Sequence, residues 1–289
     1  MKVTYLDHMG TDLSVVNAAK VSFGKRSEWE TSACSFHPFS ETRLSKKDQG
    51  LIQFLARGCT SGDWEALSER LIYNTEIIDG EWVQWDDINE LEDTLNHIRK
   101  MPSHWSPFAH TAVTLHLKMP IFIARQIMKH TTGIEYNEVS RRYVDSEPEF
   151  YVPDVWRKKA DNVKQGSSDE PFTDYFYYEF QEDDARVPYR FQNGVDESIE
   201  DVYNLYLEGA TEIYDDMLER GIAPEQARMI LPQSMYTEVI ATGNLYAWAN
   251  MYVQRSDWYG AQKEAQGLAK QVGEIVKPLY PVSWAALVA

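Results

Sequence analysis

The fold is decided by the stretch Thr111-Ala-Val-Thr-Leu-His-Leu-Lys-Met-Pro120. Val113, Leu115 and Leu117 alternate with polar residues, and this period of two predicts a half-buried strand. Pro120 ends the strand and suits the first turn of a helix, where its missing N–H is not needed. The apolar spacing that follows predicts a helix over residues 121–130.

Helical spacing recurs on both sides of this stretch. In the predicted helix 44–56, Ser45 is a suitable N-cap and Leu51, Ile52 and Leu55 form one apolar face. The segment 197–220 is amphipathic and ends at Gly221; its apolar positions are Ile199, Val202, Tyr206, Ile213 and Met217. The remaining predicted helices are 14–21, 224–231, 244–255 and 260–276. Strands and helices mixed in this way predict an α+β fold, with an antiparallel or mixed sheet flanked by helices.

The chain shows no internal repeat and no low-complexity tract, so we expect one domain over residues 1–289. Residues 57–102 read as inserted structure, with a turn at Asp79-Gly80 and a helix over 88–100. Residues 154–196 are polar, aromatic and acidic, and they read as a long excursion or a lid.

Composition limits the classes of function. With 289 residues, 43% of them hydrophobic, the chain can bury a sizeable core. A formal net charge of −17 argues against a nucleic-acid polymer as partner, whereas a small anion needs only a local cluster of cations. No apolar run reaches the roughly 18 residues of a membrane span, and MKVTYLDHMG has no signal-peptide core. Because Cys34 and Cys59 are the only cysteines, a disulfide framework is implausible and a cytoplasmic setting is expected.

Residues 125–143 concentrate the groups that could carry chemistry. On a helix over 121–130, Arg125 would stack on Lys129, and Gln126 on His130, because each pair is four residues apart. If the next segment is extended, Glu138, Ser140 and Arg142 point the same way. An acid, a hydroxyl and a guanidinium can together bind the hydrogen-bonding edge of a uracil-like base and a phosphate. The alternative is a solvated helix face followed by a charged loop.

A second polar set lies downstream. Arg228 interrupts an apolar helical run, and Asn244, Asn250 and Arg255 lie on the next predicted helix. Each of them can equally be a structural hydrogen-bonding residue.

The order of these motifs resembles the flavin-dependent thymidylate synthases, the ThyX family. The motifs are Thr11-Asp-Leu-Ser-Val-Val-Asn-Ala-Ala-Lys-Val-Ser-Phe23, Ser106-Pro-Phe108, Pro120-Ile-Phe-Ile-Ala-Arg-Gln126, His130, Asn137-Glu-Val-Ser-Arg-Arg-Tyr143, Phe150-Tyr-Val-Pro153, Ala227-Arg-Met-Ile-Leu-Pro232 and residues 244–255. The resemblance runs from end to end and leaves insertions near 57–102 and 165–195. It implies a homotetramer with active sites between subunits. It also implies FAD reduced by NADPH, and conversion of dUMP to dTMP with methylenetetrahydrofolate as carbon donor.

The resemblance also implies roles for single residues. The substrate-binding residues would be Gln126, Glu138, Ser140, Arg142, Arg228 and Arg255. We add Arg141 to them as a residue of this chain that could alter base or sugar selection. The flavin-binding residues would be Ser106, His130, Asn244 and Asn250. We add Lys129 and Thr131, which stand where the family has arginines. His104 would lie beside the flavin and folate, and the catalytic residues would be Arg255, Ser140 and His104. We assign Ser140 chiefly to binding, because the sequence offers no adjacent His/Asp pair to activate it.

The chain departs from the family signature at Lys129-His130-Thr131, where the family has Arg-His-Arg. One extra residue separates His130 from Asn137, Ala109 replaces an acid, and Arg141 replaces a small residue. A first alternative is therefore flavin-dependent hydroxymethylation of dUMP or dCMP. A second is a nucleotide-binding protein that has lost flavin. A metal site at His104, His110 and His116 is a third, although a spacing of six is not a ligand pattern, and we expect no metal.

Overall fold

A computed structural model describes residues 1–32, 41–58, 75–78, 81–84, 103–144, 147–161, 167–173, 198–256 and 261–288, with backbone alone at 32, 41, 75–78 and 81–84. Cys34, Cys59, the predicted turn at Asp79-Gly80 and the predicted helix 88–100 lie outside these ranges. Within them, no helix is long and apolar enough to cross a membrane.

Strands and helices alternate irregularly along the part of the chain that the structure describes, and the elements named below are those of that part. The strands are β1 (Lys2–Met9), β2 (Glu30–Ser32), β3 (Glu41–Arg43), β4 (Thr75–Ile78), β5 (Glu81–Gln84), β6 (Ala112–Pro120), β7 (Ile134–Glu138), β8 (Arg157–Lys159), β9 (Ser167–Pro171) and β10 (Tyr236–Gly243). The helices are α1 (Asp12–Lys20), α2 (Lys46–Arg57), α3 (Ile121–Ile127), α4 (Ile199–Glu219), α5 (Pro224–Ala227), α6 (Leu245–Arg255), α7 (Lys263–Leu279) and α8 (Pro281–Val288). Short 3₁₀ turns cover Val21–Phe23, Ser106–His110 and Arg228–Ile230.

A four-stranded antiparallel sheet with the order β1-β6-β10-β7 forms the centre. In β6, Leu115 lies opposite Tyr5 of β1 on one side and Ala241 of β10 on the other. Val113, Leu115 and Leu117 are 0% exposed, so the alternating pattern predicted this strand and its buried face correctly. The predicted α+β fold, a sheet flanked by helices, is confirmed.

The helices cover the sheet and complete its core. The predicted helix 44–56 corresponds to α2, where the Ser45 hydroxyl accepts from the Asp48 N–H at 3.1 Å and Ile52 and Leu55 are buried. Asp48 itself is buried; burial alone would raise its pKa, but hydrogen bonds from Lys20, Ser45 and Ser27 outweigh it and lower the pKa. Helix α8 packs against α2 and α6, and it was not predicted from the sequence.

Helix α4 begins and ends near the predicted positions, with Gly221 following it at a φ of +81°. Its buried face is different from the one predicted. Leu207, Ala210 and Tyr214 are buried, while Tyr206 is 55% exposed. The apolar stripe along Tyr206 therefore faces away from this chain's own core.

In the described ranges, three two-stranded antiparallel hairpins lie outside the central sheet: β2–β3, β4–β5 and β8–β9. The second falls inside the predicted insertion 57–102, and the third inside the predicted excursion 154–196. Arg157 at the start of β8 forms an ion pair with Glu264 of α7, at 2.6 Å from Nη2 to Oε1. This contact fixes the third hairpin against the first turn of α7.

The two ends of the described chain meet. The Asp12 carboxylate accepts hydrogen bonds from the Val282 and Ser283 N–H groups at 2.9 and 2.8 Å, which caps the start of α8. The Tyr280 hydroxyl donates to the Met9 carbonyl at 2.8 Å. Strand β1 is thereby joined to the last two helices.

Candidate active site

Helix α3 ends at Ile127, three residues earlier than predicted. The Tyr136 hydroxyl donates to the carbonyls of Ile127 and His130, both at 3.1 Å, so β7 supplies the partner that a continued helix would have supplied. Burial raises the pKa of Tyr136, which keeps this hydroxyl a donor. The predicted helical stacking of Lys129 on Arg125 and of His130 on Gln126 is therefore wrong, because 129 and 130 lie beyond the helix.

His130 instead meets Arg255, the last residue of α6. Arg255 Nε donates to His130 Nε2 at 3.0 Å, and Arg255 Nη2 donates to the Gln126 carbonyl at 3.5 Å. Burial, and secondly the charge of Arg255, lower the pKa of His130. A neutral imidazole and a guanidinium thus share one partly buried position, and both were singled out from the sequence.

The Gln126 side chain contacts a residue that was not recognised from the sequence as a candidate site residue. Its Nε2 donates to Gln262 Oε1 at 2.8 Å. Gln262 precedes α7 and lines a cavity of about 450 Å³ whose walls include Tyr151 and Trp156. Only the polar character of Gln262 at a helix start was visible in the sequence, and that is common to many capping residues.

The loop formed by residues 128–133, the 128–133 loop, is fastened to the start of α6. The Asn244 N–H donates to the Gly133 carbonyl at 3.0 Å, and the Asn244 side chain caps α6 by accepting from the Ala247 N–H at 2.9 Å. Gly133 has a φ of +80°, and a Cβ there would lie 2.6 Å from Asn244 Nδ2. This glycine lies in the segment that holds one residue more than the family signature.

Strand β7 ends at Glu138, and the chain then turns through residues 140–143, the 140–143 turn. The Tyr143 N–H donates to the Ser140 carbonyl at 3.0 Å. The predicted extended alternation of Glu138, Ser140 and Arg142 is therefore wrong beyond Glu138. Arg142 still meets Ser140, because its Nε donates to the hydroxyl at 3.1 Å. Glu138 accepts from the buried Thr237 at 2.8 Å.

Of the three arginines expected to form a cationic pocket for the phosphate, Arg255 is partly buried and the other two lie open to solvent. Arg142 and Arg228 are exposed, and Arg228 Nε donates to the Glu225 carbonyl of its own helical turn at 3.3 Å. Arg141 is half-buried and donates to the Glu147 carbonyl at 3.5 Å. Tyr143, beside them, is 80% exposed. Arg142 and Arg228 keep N–H groups for a ligand, since an arginine carries five.

Several residues expected to bind flavin are also on the surface. Ser106, Lys129, Thr131 and Asn250 are exposed. His104 is exposed, and its ring stacks on Phe54 with 5.4 Å between centroids. The contacts of His130 and Asn244, by contrast, are partly buried.

Ser140 and the three evenly spaced histidines are the residues that suggested other chemistries. Ser140 Oγ accepts from Arg142, and an arginine cannot act as the base that a serine nucleophile needs. Within the described ranges, no group of three or more His, Cys, Asp or Glu residues could hold a metal ion. Of the three histidines spaced by six, His116 pairs with Glu238 at 2.8 Å on the central sheet.

The fold and these motifs have counterparts in known proteins. The family described as thymidylate synthase complementing protein matches residues 4–282. A flavin-dependent thymidylate synthase of Thermosipho africanus is 34% identical over 183 residues, which cover 63% of this chain and 71% of that relative. The enzyme of the same name from Treponema denticola is 28% identical over 287 residues, covering 98% of this chain and 77% of the relative.

Among solved structures, the UMP/dUMP methylase PolB of Streptomyces cacaoi, crystallised with 5-Br dUMP, has a similar fold. The TM-score is 0.57, the identity is 24%, and the match covers 99% of this chain and 93% of that one.

Proposed function

Because the chain belongs to the thymidylate synthase complementing protein family, the family of the flavin-dependent thymidylate synthases, we propose that it converts dUMP to dTMP. In this reaction a methyl group replaces the hydrogen at C5 of uracil. Methylenetetrahydrofolate gives up its one-carbon unit and leaves as tetrahydrofolate. NADPH is the proposed source of the hydride that completes the methyl group, and FAD, when bound, passes that hydride on.

The observation that carries the proposal is the meeting of Gln126, His130 and Arg255 at one position. C5 of uracil can attack an electrophilic carbon when the ring is polarised, with enolate-like negative charge on the carbonyl oxygen atoms of the base. A fixed guanidinium beside the base stabilises that charge in the transition state. We therefore assign this role to Arg255 and assign base binding to Gln126.

The proposed phosphate site uses Arg142 and Arg228, with the Ser140 hydroxyl as a further donor. Their exposed guanidinium groups suit a phosphate dianion, which takes paired N–H donors from arginine. In a chain with a formal charge of −17, such a local set of cations is what a small anion requires. Glu138 is proposed to bind the sugar or base, and Arg141, which departs from the family pattern, to influence their selection.

The residues fit a flavin dinucleotide by their chemistry. Lys129 offers a cation for the diphosphate, and Thr131 and Asn250 offer exposed hydroxyl and amide groups. We propose that these residues, with Ser106, His130 and Asn244, hold FAD, and that His104 lies on the folate side. Lysine in place of arginine at 129 keeps the charge but loses the planar fork, so one hydrogen bond replaces two.

We further propose one domain with inserted segments near 57–102 and 165–195, assembled as a homotetramer with active sites between subunits. Exposed apolar side chains accompany the exposed cations: Met229 next to Arg228 is 76% exposed, and Ile213 on α4 is 43% exposed. Large apolar side chains grouped on a surface are typical of faces that bind another chain.

The test is to incubate the purified chain with dUMP, methylenetetrahydrofolate, NADPH and FAD, and to identify the product by mass spectrometry. A methyl group in place of the ring hydrogen supports the proposal, whereas a hydroxymethyl group contradicts it. Parallel reactions with dCMP decide the base. A preparation that binds dUMP but takes up no yellow chromophore would indicate a nucleotide-binding protein instead.

A further inference from the structure

The contact between His130 and Arg255 joins two sets of residues that the sequence treats separately. His130 belongs to the segment where this chain departs from its family, and Arg255 ends α6. Their side chains meet at 3.0 Å, from Arg255 Nε to His130 Nε2. The contact is partly buried, so it is partly shielded from water.

The direction of this hydrogen bond fixes the protonation of the imidazole. Arginine only donates, so His130 Nε2 must carry the lone pair and the ring proton must sit on Nδ1. Among the described residues, the groups that contact His130 from other elements are Arg255 on α6 and the Tyr136 hydroxyl from β7, which binds the His130 carbonyl. Lys129 is the neighbouring cation on the same loop, and it is exposed. A protonated imidazole would lose its lone pair and face a guanidinium, which is unfavourable on both counts.

The same bond determines which N–H groups of the Arg255 guanidinium are left for a ligand. Nε is occupied by His130, and one Nη2 hydrogen reaches the Gln126 carbonyl at 3.5 Å. Neither the two Nη1 hydrogens nor the second Nη2 hydrogen has a hydrogen-bond partner among the described residues. One Nη1 hydrogen and that Nη2 hydrogen lie along the outer edge of the planar group, the edge that binds two acceptor atoms at once.

We propose that His130 is a positioning residue for Arg255: the neutral imidazole holds the guanidinium by its Nε, so that its outer edge is presented to the nucleotide, and protonation of His130 releases it. This inference rests on the proposed function, in which Arg255 binds the base. Its consequence is that nucleotide affinity falls in acid for a reason that resides in the protein and not in the ligand.

The first test compares dUMP affinity at several pH values in the flavin-loaded wild type and in His130→Gln and His130→Ala. Glutamine keeps an acceptor oxygen near the position of Nε2 and does not titrate. The nucleotide phosphate itself titrates at about pH 6. Because glutamine does not titrate, the pH profile of His130→Gln measures the contribution of the ligand alone.

The expected result is a wild-type Kd that rises in acid up to about tenfold per pH unit more than that of His130→Gln. His130→Ala should bind about tenfold more weakly than His130→Gln at every pH, because the acceptor is lost. Superimposable profiles of wild type and His130→Gln would overturn the inference, as would equal affinities of the alanine and glutamine variants.

The second test needs no nucleotide. Nitrogen-15 NMR of the His130 ring should show the proton on Nδ1 in the wild type, and Arg255→Met should allow the other tautomer to appear. A proton on Nε2 of the wild type would contradict the inference even if the enzyme methylates dUMP. If the NMR result is as expected but dUMP does not bind the wild type, the proposed function fails while the contact between the two residues stands.

Discussion

Two short segments carry side chains proposed for the same site, yet the chain holds them in different ways. In the 128–133 loop, His130 is bound to Arg255, and Gly133 is bound to Asn244. In the 140–143 turn, Arg142 is exposed, and its contacts are with near neighbours such as Ser140 and Tyr143. Arg228, on a different element, is exposed as well.

The difference indicates which part of the site one chain can organise alone. Contacts between α3, α6 and β7 fix the loop from within. The turn and Arg228 present charges outward, where a ligand or a second copy of the chain can complete them. This division agrees with the proposed active site between subunits.

The largest effect should follow from removing the arginine that the loop holds. We expect Arg255→Ala to lower kcat/KM for dUMP methylation about 10³-fold, because a fixed charge next to the developing negative charge is lost. Arg220→Ala is the matched control, since Arg220 is exposed on α4 and pairs with Asp216 one turn away. Steady-state kinetics with both variants would test this, and a loss equal to that of the control would remove Arg255 from the proposed mechanism.

The next effect concerns the open part of the site. Arg228→Ala should raise the Kd for dUMP about 10- to 100-fold, because charge-assisted hydrogen bonds contribute about 1.5–3 kcal/mol. Flavin content, read from absorbance, should remain that of the wild type. Equal loss of nucleotide and flavin in a folded protein would contradict the proposed division of residues.

A mixing experiment sharpens the same comparison. If Arg228 and Arg255 of one active site come from different subunits, co-expressed Arg228→Ala and Arg255→Ala chains should regain part of the activity that each lacks alone. If both come from one chain, the mixture should be no more active than the average of its parts.

A smaller effect is expected at the loop itself. Gly133→Ala places a Cβ 2.6 Å from Asn244 Nδ2 at a φ of +80°, and such strain costs about 1–3 kcal/mol. Thermal unfolding should show a lower Tm, together with reduced flavin content. Gly209→Ala in α4 is the control, because no atom of a described residue outside its own helical turn lies within 4 Å of the added Cβ, and it should leave Tm unchanged or raise it.

The smallest effect is a pH dependence of stability. The pKa of His130 is lowered below its ordinary value of 6.5, so the unfolded chain binds more protons in the window between the two values. The free energy of unfolding should therefore rise with pH through that window, by less than about 1 kcal/mol for this partly exposed side chain. Denaturant titrations of wild type and His130→Gln would measure it; parallel curves would show that His130 does not contribute.

The sequence predicted those elements whose partners are local. Strand β6 followed from the alternation of Val113, Leu115 and Leu117, and α2 from its Ser45 cap. Strand β10 also alternates, with Thr237, Val239 and Ala241 buried, but this pattern was not recognised in the sequence.

Prediction from the sequence failed where the local structure depends on a residue that is distant in the sequence. The end of α3 depends on the Tyr136 hydroxyl, which lies on a later strand and takes up carbonyls that helical N–H groups would otherwise bind. The 140–143 turn replaced the expected extension because pairing of β7 with β10 ends at Glu138. The meeting of His130 with Arg255, separated by 125 positions, is likewise invisible in local spacing.

The contacts between the two ends of the chain also determine when folding can finish. The Val3 N–H donates to the Gln271 side-chain oxygen, and the Asp12 carboxylate accepts from the N–H groups of Val282 and Ser283. Contacts across such separations form late, and synthesis proceeds at about 5–20 residues per second. During translation β1 must therefore wait, with part of its hydrogen bonding and apolar surface uncovered, until α7 and α8 have left the ribosome. A chaperone that binds nascent strands would act in that interval, and removal of α8 should trap the newly made chain there.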